Sequence, residues 1–251
     1  MGYVFDFKDA KNYHLWAQNP RARLVVDLES SLMLDMLRPH PGETVLDIGC
    51  GTGVNLDRLI KHGIDVTGID PSVYMLDFAE QHLGHRADLH HNYAETLPFE
   101  DNSFNHAIFM TSLEFVDDPH RAIAEACRVA KDKLFIGMLN RYALKNIYRR
   151  IQGIFRNTIY NRARFFSIWE LKQMIHQLLG DVPVKWLTTC QFPTVSEGWK
   201  LRLEQSSWVQ HSPFGAFAGM VVTLQPHFKT RPLPLKIQPK PAPKTVAGLE
   251  I

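Results

Sequence analysis

Residues 45–53 read Val-Leu-Asp-Ile-Gly-Cys-Gly-Thr-Gly, and no other stretch restricts the fold of this chain so tightly. The apolar, β-rich start is the pattern of a strand buried on both faces. Three alternating glycines, Gly49, Gly51 and Gly53, then supply a turn in which φ can be positive and the main chain can approach a ligand with no Cβ in between. Helical spacing resumes at once, so the turn also presents unpaired N–H groups at a helix start, suited to a carboxylate or phosphate. A strand, a glycine turn and a helix in that order open a parallel α/β sheet.

The pattern repeats downstream. Short apolar runs predict strands over 44–48, 65–70, 87–93, 106–110 and 133–139, the third weakly patterned. Helical spacing intervenes over 54–61, 71–83 and 119–129, with one or two further helices over 13–38 that stop at the breaker Arg38-Pro39-His40-Pro41-Gly42. Strands alternating with helices imply right-handed crossovers and a sheet covered on both faces. A later helix is predicted over 167–179 and two closing strands over 184–192 and 216–225. Between strand five and that helix, residues 141–164 hold seven Lys or Arg and no Asp or Glu, with Tyr142, Tyr148, Phe155 and Tyr160 interleaved. From residue 226 the chain is rich in Pro and Lys and reads as an extended or disordered tail. The expected organisation is therefore one domain over 1–225, with a helical cap at 1–40, a basic and aromatic insertion at 141–166, and a tail over 226–251.

Composition narrows the class. Hydrophobic residues make up 45% and charged residues 22% of the 251, enough apolar material for a full core, and the formal net charge of +2 points to no partner by itself. The three cysteines are spread too widely for a disulfide framework or a metal pair, and the twelve histidines show no ligand spacing, so no metal is expected. With no basic start followed by an apolar run, and no apolar stretch long enough for a bilayer, the reading is a protein of a reducing, cytoplasmic setting.

At the end of the second strand stands Asp70, where a Rossmann-type domain places an acid to grip ribose hydroxyls. Dinucleotide binders use GxGxxG; this chain has GxGxG followed by Val54 and Asn55, with no third glycine at the dinucleotide position. Asp47 adds negative charge suited to a cationic cofactor.

Residues 45–53 resemble the first motif of the class I S-adenosylmethionine-dependent methyltransferases, in particular their small-molecule type 11 or ubiquinone-biosynthesis-like group. The likeness extends over about half the chain. Ala94-Glu95-Thr96-Leu97-Pro98-Phe99 with Asp101-Asn102-Ser103-Phe104, then Ser112-Leu113-Glu114-Phe115-Val116-Asp117-Asp118-Pro119, then Arg128-Val129, resemble that family's later segments in order and spacing. The resemblance implies a Rossmann-like three-layer sandwich of seven strands, mostly parallel with the last reversed, and S-adenosylmethionine as cofactor, leaving S-adenosylhomocysteine as product. It implies that Gly49, Gly51 and Gly53, with Cys50, wrap the methionine portion and that Asp70 accepts from the ribose hydroxyls. Pro71 and Met75 would lie against the adenine face, Ala94 and Glu95 at the adenine edge, and Thr111 and Ser112 near the amino-acid end or the methyl group.

The chain departs from the family at Tyr93 and Asn105, where Asp is usual, at Lys131-Asp132-Lys133, which replaces a Pro-Gly-Gly turn, and at Tyr13-His14 in place of Tyr-Asp. Catalytic candidates are Glu114 and Asn140, which follow strands four and five, and Tyr13; for the first two, hydrogen bonding to loop backbone is an equal reading. The acceptor is expected to be a small molecule, apolar or anionic. The segment 141–164 suits an anionic group or a membrane surface, or is the solvated face of a lid helix. No nucleic-acid-binding module is recognisable. Two alternatives remain: a non-catalytic S-adenosylmethionine-binding protein and an NAD-type oxidoreductase.

Overall fold

A computed structural model describes residues 2–155, 159–191, 204 and 206–225. The expected tail, 226–251, lies outside the described residues. Two helices come first: α1 (Phe7–Gln18), whose N-cap Asp6 accepts from the Asp9 N–H, and α2 (Pro20–Leu37), whose N-cap Asn19 accepts from the Arg21 N–H with Pro20 at its first position. The Asn19-Pro20 pair is the break between them. The alternating part follows: β1 (Thr44–Ile48), α3 (Val54–Lys61), β2 (Asp65–Asp70), α4 (Val73–Leu83), β3 (Asp88–His91), β4 (Phe104–Met110), α5 (Pro119–Val129) and β5 (Ala130–Leu139). The chain closes with α6 (Leu144–Phe155), α7 (Ile168–Leu179), β6 (Val184–Thr189) and β7 (Phe217–Thr223).

The sheet has seven strands in the order β3-β2-β1-β4-β5-β7-β6. β1 pairs in parallel with β2 and β4, β4 with β5, and β2 with β3. β7 runs antiparallel to both β5 and β6, so the reversed strand is the last in sequence, slotted between them. The chain reverses direction on either side of β1, so the carboxyl ends of β1, β2 and β4 surround the crevice where ligands of open α/β sheets bind.

Period-two alternation splits the core into two layers. Leu46 and Ile48 of β1, Phe109 of β4 and Ile136 of β5 face α5 and α7, against Ile123, Ala126, Leu171 and Ile175. Val45, Ile108 and Phe135 face the opposite way, onto Leu32, Met33 and Leu37 of α2 and Leu56 and Leu59 of α3. The third strand is an edge strand with no fully buried side chain, which explains its weak pattern. No helix among the described residues is long and apolar enough to cross a membrane.

Candidate functional site

A cavity of about 790 Å³ opens at the carboxyl ends of β1, β2 and β4. The glycine turn forms its floor. Gly49, Gly51 and Gly53 all have positive φ (77°, 54° and 77°), yet they serve different ends. A Cβ on Gly49 would lie 2.4 Å from Ser112 Cβ, and one on Gly53 would lie 2.7 Å from Leu83 Cδ1. These two let the β4 exit loop and α4 approach the turn. A Cβ on Gly51 would meet nothing nearer than Met75 Sδ at 4.0 Å. Gly51 is thus the position where bare main chain faces open cavity; Gly53 is not part of the lining.

Two carboxylates surround the turn. Asp70, at the end of β2, accepts the Gly51 N–H at 2.9 Å on Oδ2 and the Ser72 N–H at 2.8 Å on Oδ1. It ties the turn to the start of α4, and each oxygen keeps a further lone pair for a ligand in the cavity it lines. Burial pushes its carboxyl up to about 6, against the two N–H bonds that favour ionisation. Asp47, in β1, is fully buried and neither oxygen has a hydrogen-bond partner. Burial, with the nearby charge of Asp70, pushes its carboxyl up to about 8. Asp47, expected at the cofactor, lies behind the turn and does not line the cavity; only Asp70 of the two does.

The remaining lining comes from four directions. Pro71 and Met75 enter from the start of α4, Ala94 and Glu95 from the loop after β3, and Thr111 from the end of β4. Thr111 has φ of 52°, a left-handed conformation rare for a β-branched residue, and its N–H donates to Gly137 O at 2.8 Å. Strain of this kind persists where the surroundings over-determine it, often at a ligand site. Residues 2–6 line the cavity as well: the Tyr3 N–H donates to Phe115 O, and Phe5 O accepts from the Ser72 hydroxyl at 2.6 Å.

Comparison with known proteins bears on this geometry directly. Residues 46–135, which hold the glycine turn, Asp70 and the β4 exit, match the methyltransferase domain family. Over these residues the chain is similar to a methyltransferase domain. An uncharacterized methyltransferase of Mycobacterium tuberculosis is 36% identical over 106 residues, 42% of this chain and 43% of the relative. A ubiquinone biosynthesis O-methyltransferase of Coxiella burnetii is 38% identical over 106 residues, 40% of this chain and 45% of the relative. The chain therefore spans less than half the length of these curated relatives. A Thermotoga maritima structure described as an S-adenosylmethionine-dependent methyltransferase, possible histamine N-methyltransferase, is 26% identical, with a TM-score of 0.63, covering 86% of this chain and 96% of that one. The cyclase SpnF, at 20% identity, TM-score 0.60, and coverage of 84% and 86%, shares the fold alone.

Several of the expected site residues have other work. Glu95 Oε1 accepts the Asp117 and Asp118 N–H groups at 3.0 and 3.3 Å, so it pins the β4 exit while lining the cavity. Cys50 lines the cavity too, but burial pushes its thiol well up, as in an inert small side chain. Asn105 lies at the far end of the sheet, where Oδ1 accepts the Thr44 N–H at 3.1 Å and Nδ2 donates to Asp132 at 2.8 Å; its departure from the family pattern does not touch the site. Tyr93 lines the cavity beside Asn92, a polar side chain at the end of β3 that sequence reasoning passed over.

Of the catalytic candidates, the cavity receives Tyr13 and neither of the others. Asn140 is fully buried; its Nδ2 donates to Pro213 O and Gly215 O at 2.7 and 3.0 Å, and Oδ1 accepts the Tyr142 N–H. It fastens the β5 exit to the chain before β7. Glu114 is buried beneath the wall, accepting the Leu139 N–H at 2.6 Å. The cavity instead receives Glu29 of α2 and, from the basic segment, Arg149 and Arg162. Glu29 follows Val25 and Val26 on the inward stripe of α2, and an acid interrupting that stripe was the signal for it.

Proposed function

We propose that this chain transfers the methyl group of S-adenosylmethionine to a small-molecule acceptor held in the same cavity. The observation that carries the reading is the Gly51 main chain, open to the cavity, directly bonded to the buried acid Asp70. In this reading the Gly49–Gly51 backbone follows the methionine portion and the free lone pairs of Asp70 accept from the ribose hydroxyls. Met75 and Pro71 pack on the adenine, Ala94 and Glu95 lie at its edge, and Thr111 lies near the amino-acid end. Asp47 and Asp70 complement the positive charge of the sulfonium.

When bound, the cofactor supplies a methyl group already activated on sulfur. The chain's part is to hold an acceptor atom in line behind that methyl, exclude water, and take up the acceptor's proton. The strap of residues 2–6, α1 and the turn Ile159–Asn161 enclose the space for the acceptor. Arg149 and Arg162 place part of the basic segment at the cavity, as a lid would; its remaining exposed side chains, Leu144 and Tyr148 among them, also suit an anionic membrane surface. Glycine spacing and the family match both weigh against a nicotinamide dinucleotide.

Isothermal titration of the purified chain with S-adenosylmethionine, S-adenosylhomocysteine and NAD tests the reading. Heat is expected with the first two and not the third. Absence of heat with both sulfur compounds would remove it.

A further inference from the structure

Glu29 has no role in the cofactor assignments above, yet its surroundings are those of a reacting group. It projects from α2 into the cavity, together with Val25 and Val26 of the same helix. Among the described residues it makes no hydrogen bond and no ion pair. The other lining acids differ: Asp6 caps α1, Asp9 accepts from the Tyr3 hydroxyl, Asp70 holds the turn, Glu95 holds the β4 exit, and Asp117 is engaged as well. Glu29 is an uncommitted carboxylate in a lining of mixed apolar and aromatic side chains, including Tyr13, Trp16 and Tyr160.

The groups that face it are identifiable. Arg58 of α3 and Lys145 and Arg149 of α6 favour its ionised form, while burial disfavours it and prevails, pushing the carboxyl up to about 7. Burial raises the proton affinity of Tyr13, Glu114 and Cys190, and the charge of Glu29 adds to it in each. Tyr13 therefore remains a neutral hydroxyl beside it, able to donate a hydrogen bond and unable to serve as the base.

Resting on the transferase reading, we propose that Glu29 is the general base of the reaction, and that the acceptor is a small molecule carrying a hydroxyl or neutral amine on an apolar body. The acceptor's lone pair forms the new bond to the methyl carbon. The carbon–sulfur bond breaks with its electrons passing to sulfur, leaving a neutral thioether. The proton released from the acceptor's O–H or N–H goes to the Glu29 carboxylate and from there to water. An acceptor bearing a carboxylate would face Glu29 with like charge.

The test pairs binding with turnover. Wild type, Glu29→Gln and Glu29→Asp are titrated with S-adenosylhomocysteine. They are then assayed for methyl transfer from labelled S-adenosylmethionine to 4-ethylphenol, catechol, 2-phenylethylamine, indole and benzoate across about pH 5.5 to 9. All three proteins are expected to bind S-adenosylhomocysteine alike. A phenol or amine is expected to be methylated by wild type, with kcat rising through a midpoint near neutral pH as Glu29 ionises. Glu29→Gln should lower kcat by about 10²- to 10⁴-fold and flatten that profile, and Glu29→Asp should restore part of both. Full kcat in Glu29→Gln, a flat wild-type profile, or methylation of indole or benzoate alone overturns the proposal. So does cofactor binding with no panel member methylated. Failure to bind S-adenosylhomocysteine at all strikes the cofactor reading instead.

Discussion

Replacing Gly51 by Ala separates ligand recognition from folding. The backbone there has φ of 54°, and holding an L-residue in that conformation costs about 1–2 kcal/mol of stability. No steric term adds to this, because the new Cβ would be 4.0 Å from its nearest neighbour, Met75 Sδ. The methyl group would instead occupy the floor of the cavity, where the proposed binding mode runs the methionine portion of the cofactor. An affinity loss of at least about tenfold, or about 1.4 kcal/mol, is expected for S-adenosylhomocysteine. Gly49→Ala is the control. Its Cβ would overlap Ser112 Cβ at 2.4 Å, so overpacking of about 1–3 kcal/mol adds to the same backbone strain, and the fold suffers more than the Gly51 variant. Thermal unfolding and calorimetry on both proteins give the two quantities. A Gly51→Ala protein that binds as tightly as wild type would refute the claim that this main chain touches the cofactor.

Asp70→Ala should weaken S-adenosylhomocysteine binding by about 1–3 kcal/mol, measured by calorimetry; undiminished affinity would remove Asp70 from the site. S-adenosylmethionine carries a positive charge that favours ionised Asp47 and Asp70, whose carboxyls sit at about 8 and about 6 in the free protein. Binding should therefore release protons and tighten as pH rises across that window, by up to about tenfold per unit for each proton released, with a shallower slope for the uncharged thioether product; equal slopes for the two ligands would contradict this. Asp47→Asn should raise the melting temperature of the free protein at pH near 8, because a folded-state carboxyl held above its unfolded value loses its stabilising contribution as pH climbs through it; an unchanged melting temperature there would count against it. Arg128→Ala should destabilise the fold by about 1–3 kcal/mol, part-exposure of the head limiting the loss. Arg128 donates to Phe99 O and Leu97 O at 2.7 and 3.1 Å and pairs with Glu125 and Asp101. Unaltered unfolding would show that the 97–101 loop needs no such clamp.

What the sequence made legible was what local chemistry dictates. Fully buried strands such as β1 and β4 announce themselves as apolar runs, and the glycine turn as a backbone requirement. The first helix was harder: it begins at Phe7, six residues before the helical pattern becomes readable, because only Ala10 in it is buried. The division of labour among the three glycines was invisible, since Ser112 and Leu83 reach them from distant segments. Glu114 and Asn140 follow strand ends, as catalytic groups do, but whether such a side chain turns toward the cavity or into the wall depends on a tertiary path that spacing does not encode. Glu29 was missed for the converse reason, lying in a helix read as packing.

The N-terminal segment that lines the cavity is not part of the sheet. Residues 2–6 are secured by the hydrogen bonds of Tyr3 to Phe115 O and Asp9, of the Ser72 hydroxyl to Phe5 O and of Asp6 to the start of α1, by the edge-on contact of Phe5 with Phe115 at 5.1 Å, and by the Arg162 guanidinium over the Tyr3 ring at 4.3 Å. None of these partners lies in a strand. The segment against the cavity and the sheet beneath it are therefore held by separate sets of bonds, so loss of the first leaves every strand paired.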